Sequence, residues 1–208
     1  MWKVARSTIM GVLNEPLTLW FCLAWPALPL VWDLFENNRY YPELMHITGT
    51  LSTQLLVLTL GITPLTLILK RWHLGQRTCI WFLKRRRYFG VAAFCYAFLH
   101  LVFYVRETSN LRIIYLEAFD VDFLFGWVGL LFLVLPFLTS NRFSTNILGK
   151  KWKPIQRLSY IAVFAIFLHW FYFDFFWDEV LMWVAILTSA KSLQIVLKYR
   201  LVTSDSSR

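Results

Sequence analysis

Six stretches of the chain run predominantly apolar for about 20 residues each, the length a helix needs to cross a bilayer core at about 1.5 Å per residue. They fall at 12–32, 48–69, 88–105, 121–139, 158–175 and 180–199. None alternates with the period of two that a membrane strand requires, which excludes a barrel. The pattern predicts an all-α, polytopic membrane protein, a six-helix transmembrane bundle forming one domain over residues 1–208. Pro26 and Pro29 predict a kink in the first stretch. Lys191 and Gln194 predict a break in the last, with its final turns leaving the membrane. Lys3 and Arg6 precede the first stretch as they would in a signal peptide, but no small-x-small site follows Trp32, where the chain turns acidic. A retained anchor is therefore expected.

The polar segments between the stretches set the orientation. Residues 70–87 hold seven Lys or Arg and no acid, and residues 140–157 hold five and no acid. Lys3 and Arg6 at one end and Lys191, Lys198, Arg200 and Arg208 at the other bring this group to 18 of the 21 basic residues. The remaining connections hold only Arg39, Arg106 and Arg112, and they carry the acids Asp33, Glu36, Glu43, Glu107, Glu117, Asp120, Asp122, Asp174, Asp178 and Glu179. Cytoplasmic loops are rich in Lys and Arg, so both termini are expected in the cytoplasm.

Composition agrees with this reading. The chain is 58% hydrophobic and only 16% charged, against about 45–50% and about 25% in globular proteins. The net charge of +9 therefore follows from topology, with added attraction to the anionic lipid of the bilayer, and nucleic-acid binding is not expected. Cys22, Cys79 and Cys95 form neither a zinc pattern nor a disulfide framework. There is no Gly-rich phosphate loop, no HExxH, no Ser/His/Asp arrangement and no segment long enough for a soluble domain. No residue is assigned a catalytic role.

Two histidines interrupt the apolar runs: His100 in FCYAFLHLVFYV and His169 in IAVFAIFLHWFYF. An imidazole in such a run needs a partner or a ligand, because an unsatisfied buried polar group costs a few kcal/mol. His100 lies 13 residues beyond Arg87 and His169 lies 12 beyond Arg157, so both sit about 18–20 Å from the basic side on parallel helices. Matched imidazoles on facing helices suit axial ligation of a haem. Without a CxxCH motif that haem would be b-type. Two readings stay open: an electron-transfer subunit holding haem, or a haem-free transporter or structural protein whose histidines make interhelical hydrogen bonds. His46, before the second stretch, and His73, in the basic segment, are weaker candidates.

Three blocks carry a family resemblance: HITGTLSTQLLVLTLGITPL at 46–65, RRRYFGVAAFCYAFLHLVFY at 85–104 and LGKKWKPIQRLSYIAVFAIFLHWFYF at 148–173. Their order and spacing resemble the ferric-reductase-like transmembrane domain, and within it the MsrQ (YedZ) family. The resemblance implies a b-type cytochrome of the bacterial inner membrane with His100 and His169 as haem ligands. It implies electrons taken from the quinol pool or a cytosolic flavin reductase. They would pass outward to a periplasmic molybdopterin-containing methionine sulfoxide reductase that repairs oxidised proteins. FMN enters by the resemblance alone. Two positions depart from the family pattern: Gln156 stands where a histidine is frequent, and Thr50 where an arginine follows H-x-T-G. A possible second redox or propionate site would draw on Arg86, Gln156 and His73 on the inner side or His46 on the outer, and only the histidines are usual iron ligands. One haem is expected, with an inner one weaker, differently ligated or absent. The acids Glu117, Asp120, Asp122, Asp178 and Glu179 are candidates for docking the periplasmic partner.

Overall fold

The computed structural model describes residues 15–35, 41–71, 75–173 and 177–205. Every regular element within them is helical. In chain order they are α1 (Pro16–Ala24), α2 (Ala27–Asp33), α3 (Tyr41–Arg71), α4 (Gln76–Thr108), α5 (Leu111–Glu117), α6 (Val121–Leu138), α7 (Arg142–Leu148), a 3-10 turn (Gly149–Lys151), α8 (Trp152–Phe173) and α9 (Trp177–Asp205). Among the described residues five segments are long and apolar enough to cross a membrane: Tyr41–Lys70, Gln76–Thr108, Val121–Leu138, Arg142–Phe173 and Trp177–Tyr199. The protein is a polytopic membrane protein.

The first apolar stretch is α1 and α2 in series, parted at Trp25 and Pro26. Proline lacks the N–H that would continue the helix and its ring crowds the preceding turn. The Leu23 carbonyl beside this break accepts a hydrogen bond from the Tyr96 hydroxyl of α4 at 2.9 Å. Leu19 packs with Ile62 and Phe89, and Leu30 packs with Leu44 and Phe103, so the broken segment is seated on the bundle at both ends.

Two expectations about the polar stretches are corrected. Lys191 and Gln194 do not break the last helix, which runs from Trp177 to Asp205. A polar side chain ends a hydropathy window without ending a helix. Lys191 reaches the Tyr160 hydroxyl at 2.7 Å, its ammonium lying 4.8 Å from the centre of that ring while its stem stays along apolar surface. The described part of the basic stretch 70–87 is not a loop either, because one helix runs to Arg71 and α4 is helical from Gln76. Arg, Lys and Gln are good helix formers, so the helix outlasts the apolar core; its 33 residues span about 50 Å.

The central core joins four of the long helices to α9. Leu56, Val57 and Leu60 of α3 meet Ala93 of α4, Leu133 of α6, Ala162 and Val163 of α8, and Leu187 of α9. Small residues let helices approach closely where lipid gives no hydrophobic drive between them. Gly129 of α6 is one: a methyl there would lie 2.8 Å from Ile166 Cγ1 of α8. Hydroxyls buried in the bundle are satisfied internally, as a bilayer demands. Thr48 donates to the Leu44 carbonyl at 2.8 Å, and Ser52 reaches across to the Ala93 carbonyl of α4 at 2.8 Å. Facing outward, Leu131, Phe164 and Ile195 are 67%, 65% and 68% exposed, as lipid-facing side chains would be.

Candidate functional site

Adjacent helices run antiparallel, so the N-terminal turns of α3 and α6 lie at the same end of the bundle as the C-terminal turns of α4 and α8. A cavity of about 560 Å³ opens there, bordered by His46 and Gly49 of α3, His100 and Tyr104 of α4, Gly126 of α6 and His169 of α8. The two intramembrane histidines meet across it, with ring centres 6.2 Å apart and ring planes at 88°.

Each ring is tied to backbone. His100 Nδ1 lies 2.8 Å from the Met45 carbonyl oxygen, and His169 Nδ1 lies 2.6 Å from the Asp122 carbonyl oxygen. A carbonyl only accepts, so Nδ1 carries the hydrogen in both rings and Nε2 of the neutral imidazole keeps its lone pair. This is the orientation in which imidazole ligates a metal, its other nitrogen held by a carbonyl. Both rings also rest against glycine: a Cβ at Gly49 would lie 3.2 Å from His100 Nδ1, and one at Gly126 would lie 2.9 Å from His169 Cε1.

These residues fit a haem held by two imidazoles. With metal–nitrogen bonds of about 2.0 Å and a ring centre about 1.1 Å behind each nitrogen, imidazoles trans across one metal stand about 6 Å apart. The cavity volume falls within the range of about 300–1,000 Å³ usual for cofactor and ligand pockets. Among the described residues no group of three or more His, Cys, Asp or Glu could hold a bare metal ion.

The other sequence candidates separate. His46 borders the same cavity as His100 and His169. Arg86 donates from Nη1 to Thr63 Oγ1 at 3.1 Å. Gln156 Nε2 donates to the Pro136 carbonyl and to Thr139 Oγ1, both at 3.0 Å. Trp152 Nε1 donates to the Thr139 carbonyl at 2.9 Å. Gln156 and Trp152 thus cap the end of α6, whose last carbonyls have no partner within the helix. Neither Arg86 nor Gln156 borders that cavity, and His73 lies outside the described residues. Of the acids, Glu117 borders the cavity and accepts from the Tyr104 hydroxyl at 2.7 Å. Asp120 immediately precedes α6, Asp122 supplies the carbonyl for His169, and Asp178 and Glu179 stand in the first turn of α9.

Sequence reasoning missed four contributors: the carbonyls of Met45 and Asp122, and the glycines at 49 and 126. The carbonyls leave no signal in a sequence. The glycines leave a weak one, since each interrupts an otherwise side-chain-rich helix without a nearby turn.

Fold and site together define a polytopic helical membrane protein with a paired-histidine cavity at one end of its bundle. The chain belongs to the ferric-reductase-like transmembrane family: residues 48–168 match the family described as "Ferric reductase like transmembrane component". The match takes in His100 and stops one residue before His169. Curated relatives carry the name "Protein-methionine-sulfoxide reductase heme-binding subunit MsrQ". That of Cronobacter sakazakii is 31% identical over 69% of this chain and 72% of the relative. That of Brucella anthropi is 29% identical over 70% and 66%, and that of Brucella ovis 30% over 73% and 69%. No solved structure matches the chain.

Proposed function

We propose that this chain is the b-type cytochrome membrane subunit of a methionine sulfoxide reductase system, with His100 and His169 as the axial ligands of one haem b. The observation that carries the reading is the imidazole pair, 6.2 Å apart, with both Nδ1 atoms committed to backbone carbonyls. The names of the relatives support the same cofactor. When bound, the haem supplies a one-electron couple at the outer end of the bundle. The chain's own residues do the rest. The carbonyls of Met45 and Asp122 hold the Nδ1 hydrogens and so present Nε2 for ligation. Phe123, Phe173 and Trp170 border the cavity and restrict water.

The reading places the protein in a bacterial inner membrane with six spans, α1 and α2 together forming the first, and with both termini cytoplasmic. The quinol pool or a cytosolic flavin reductase would supply electrons, and a periplasmic molybdopterin-containing catalytic subunit would receive them. The acids at the cavity end, on α5, α6 and α9, support docking there. FMN rests on the family resemblance, and no residue is assigned to it. The test is the optical spectrum of purified protein. Reduced b-type bands in the wild type, abolished in both His100→Ala and His169→Ala, are expected. A colourless wild type would instead leave the two imidazoles as packed structural residues of a haem-free membrane protein.

A further inference from the structure

The two histidines are held by the same device built twice. On α3 the Met45 carbonyl takes His100 Nδ1, and four residues later Gly49 lies against the same ring. On α6 the Asp122 carbonyl takes His169 Nδ1, and four residues later Gly126 lies against that ring. Residues four apart are stacked on one helix face, so carbonyl and glycine form a single shallow seat. At Gly126 a Cβ would lie 2.9, 3.0 and 3.3 Å from Cε1, Nδ1 and Cγ of His169. Three ring atoms at nearly one distance place the missing methyl over the ring face, not at its edge. The His169 face therefore rests on backbone, and any side chain would lift it. On α3 the glycine meets the rim of the ring and not its face: a Cβ at Gly49 would touch only Nδ1 and Cε1 of His100, at 3.2 and 3.4 Å, so a methyl there would nudge that edge by a few tenths of an ångström.

With Cγ held by the side chain, a hydrogen bond at Nδ1 restricts the ring but tolerates a range of angles, so the plane can still tilt. A surface under the face removes this freedom. We propose that Gly49 and Gly126 are positioning residues that set the two imidazole planes, and thereby their 88° crossing. The proposal rests on the haem reading and deepens it, because axial ligand planes govern the electronic structure of low-spin iron. Perpendicular planes leave two of the iron d orbitals nearly equal in energy and give a single, strongly shifted low-field electron paramagnetic resonance feature. Planes turned toward parallel split those orbitals and give three resolved features nearer the centre of the spectrum.

The experiment is the resonance spectrum of oxidised, purified full-length protein with haem bound, for wild type, Gly126→Ala, Gly49→Ala and Gly90→Ala. The wild type should show the single low-field feature. Gly126→Ala should move it toward the three-feature pattern, Gly49→Ala should do so less, and Gly90→Ala should leave it in place. Gly90 is the control because its Cβ would meet only Thr59, at 3.4 Å. Should Gly126→Ala fail to fold or to retain haem, Gly49→Ala decides alone against the same control. Haem-loaded variants at 126 and 49 with the wild-type signal would overturn the proposal and leave the haem reading standing, as would a wild type already showing three features. A wild type without haem would remove both.

Discussion

The two ends of this bundle, outer and inner in the orientation proposed above, are built from the same helices and use their polar groups differently. At the outer end, α3, α4, α6 and α8 surround a cavity of about 560 Å³, and the polar atoms of His100 and His169 are oriented by backbone. At the inner end, polar side chains tie helix to helix. Gln156 and Trp152 cap α6, and Arg86 ties α4 to Thr63 of α3. The family pattern that the sequence resembles would set a histidine at the Gln156 position. Here an amide, a donor that cannot ligate iron, serves the end of a helix. The comparison teaches that depth alone does not make a polar residue a ligand: the imidazoles present a free nitrogen to a cavity, whereas Gln156 and Arg86 spend their donors on neighbouring helices.

The largest expected effect concerns the ligands. His100→Ala and His169→Ala should each take the haem-to-protein ratio from about one to near zero, while Gln156→Ala and Arg86→Ala leave it unchanged. Equal haem loss from the inner pair, measured by the pyridine haemochrome assay, would break the outer–inner distinction. Next comes the partner. Reversing the charges of Asp120, Asp178 and Glu179 together should slow association with the periplasmic catalytic subunit about tenfold at low salt, with the difference shrinking as salt rises. Stopped-flow reduction rates over a salt series would show it, and a salt-independent rate equal to wild type would remove the docking face. Glu117 and Asp122 are poorer probes, because Tyr104 and His169 depend on them.

Gln156→His sharpens the inner side. It should add no second tightly bound low-spin haem, since Arg86 is engaged with Thr63 and is no iron ligand; a haem-to-protein ratio of about two would contradict this. Gln156→Ala should lower stability by about 0.6–2 kcal/mol, the cost of uncapping carbonyls inside a membrane protein, seen as a lower thermal midpoint with haem content unchanged. The smallest effect is expected from Tyr104→Phe. It removes the bond to Glu117 and should cost about 0.5–1.5 kcal/mol, with the optical spectrum retained.

Much of the fold was legible in the linear pattern. Apolar length announced the long helices, and Pro26 announced the break between α1 and α2. The ends of the elements were less legible: Lys191, Gln194 and the run from Gln76 to Arg87 read as interruptions although all are helical. Hydropathy reports where a helix meets lipid, whereas helicity depends on backbone propensity, which long charged residues do not oppose.

The sequence by itself determined that His100 and His169 share a depth, because rise per residue along a helix is constant. It also determined the chemistry on offer there, since each run sets an imidazole, a usual iron ligand, at that depth. Tertiary structure alone decided that the rings face each other, because depth says nothing about how each helix is rotated about its axis or which helix is its neighbour. It alone turned Met45 and Asp122 into orienting groups, since a carbonyl is common to every residue and carries no letter of its own. It likewise placed Gln156 at the end of α6, where Pro136 and Thr139, 20 and 17 residues away in sequence, set what its side chain can do.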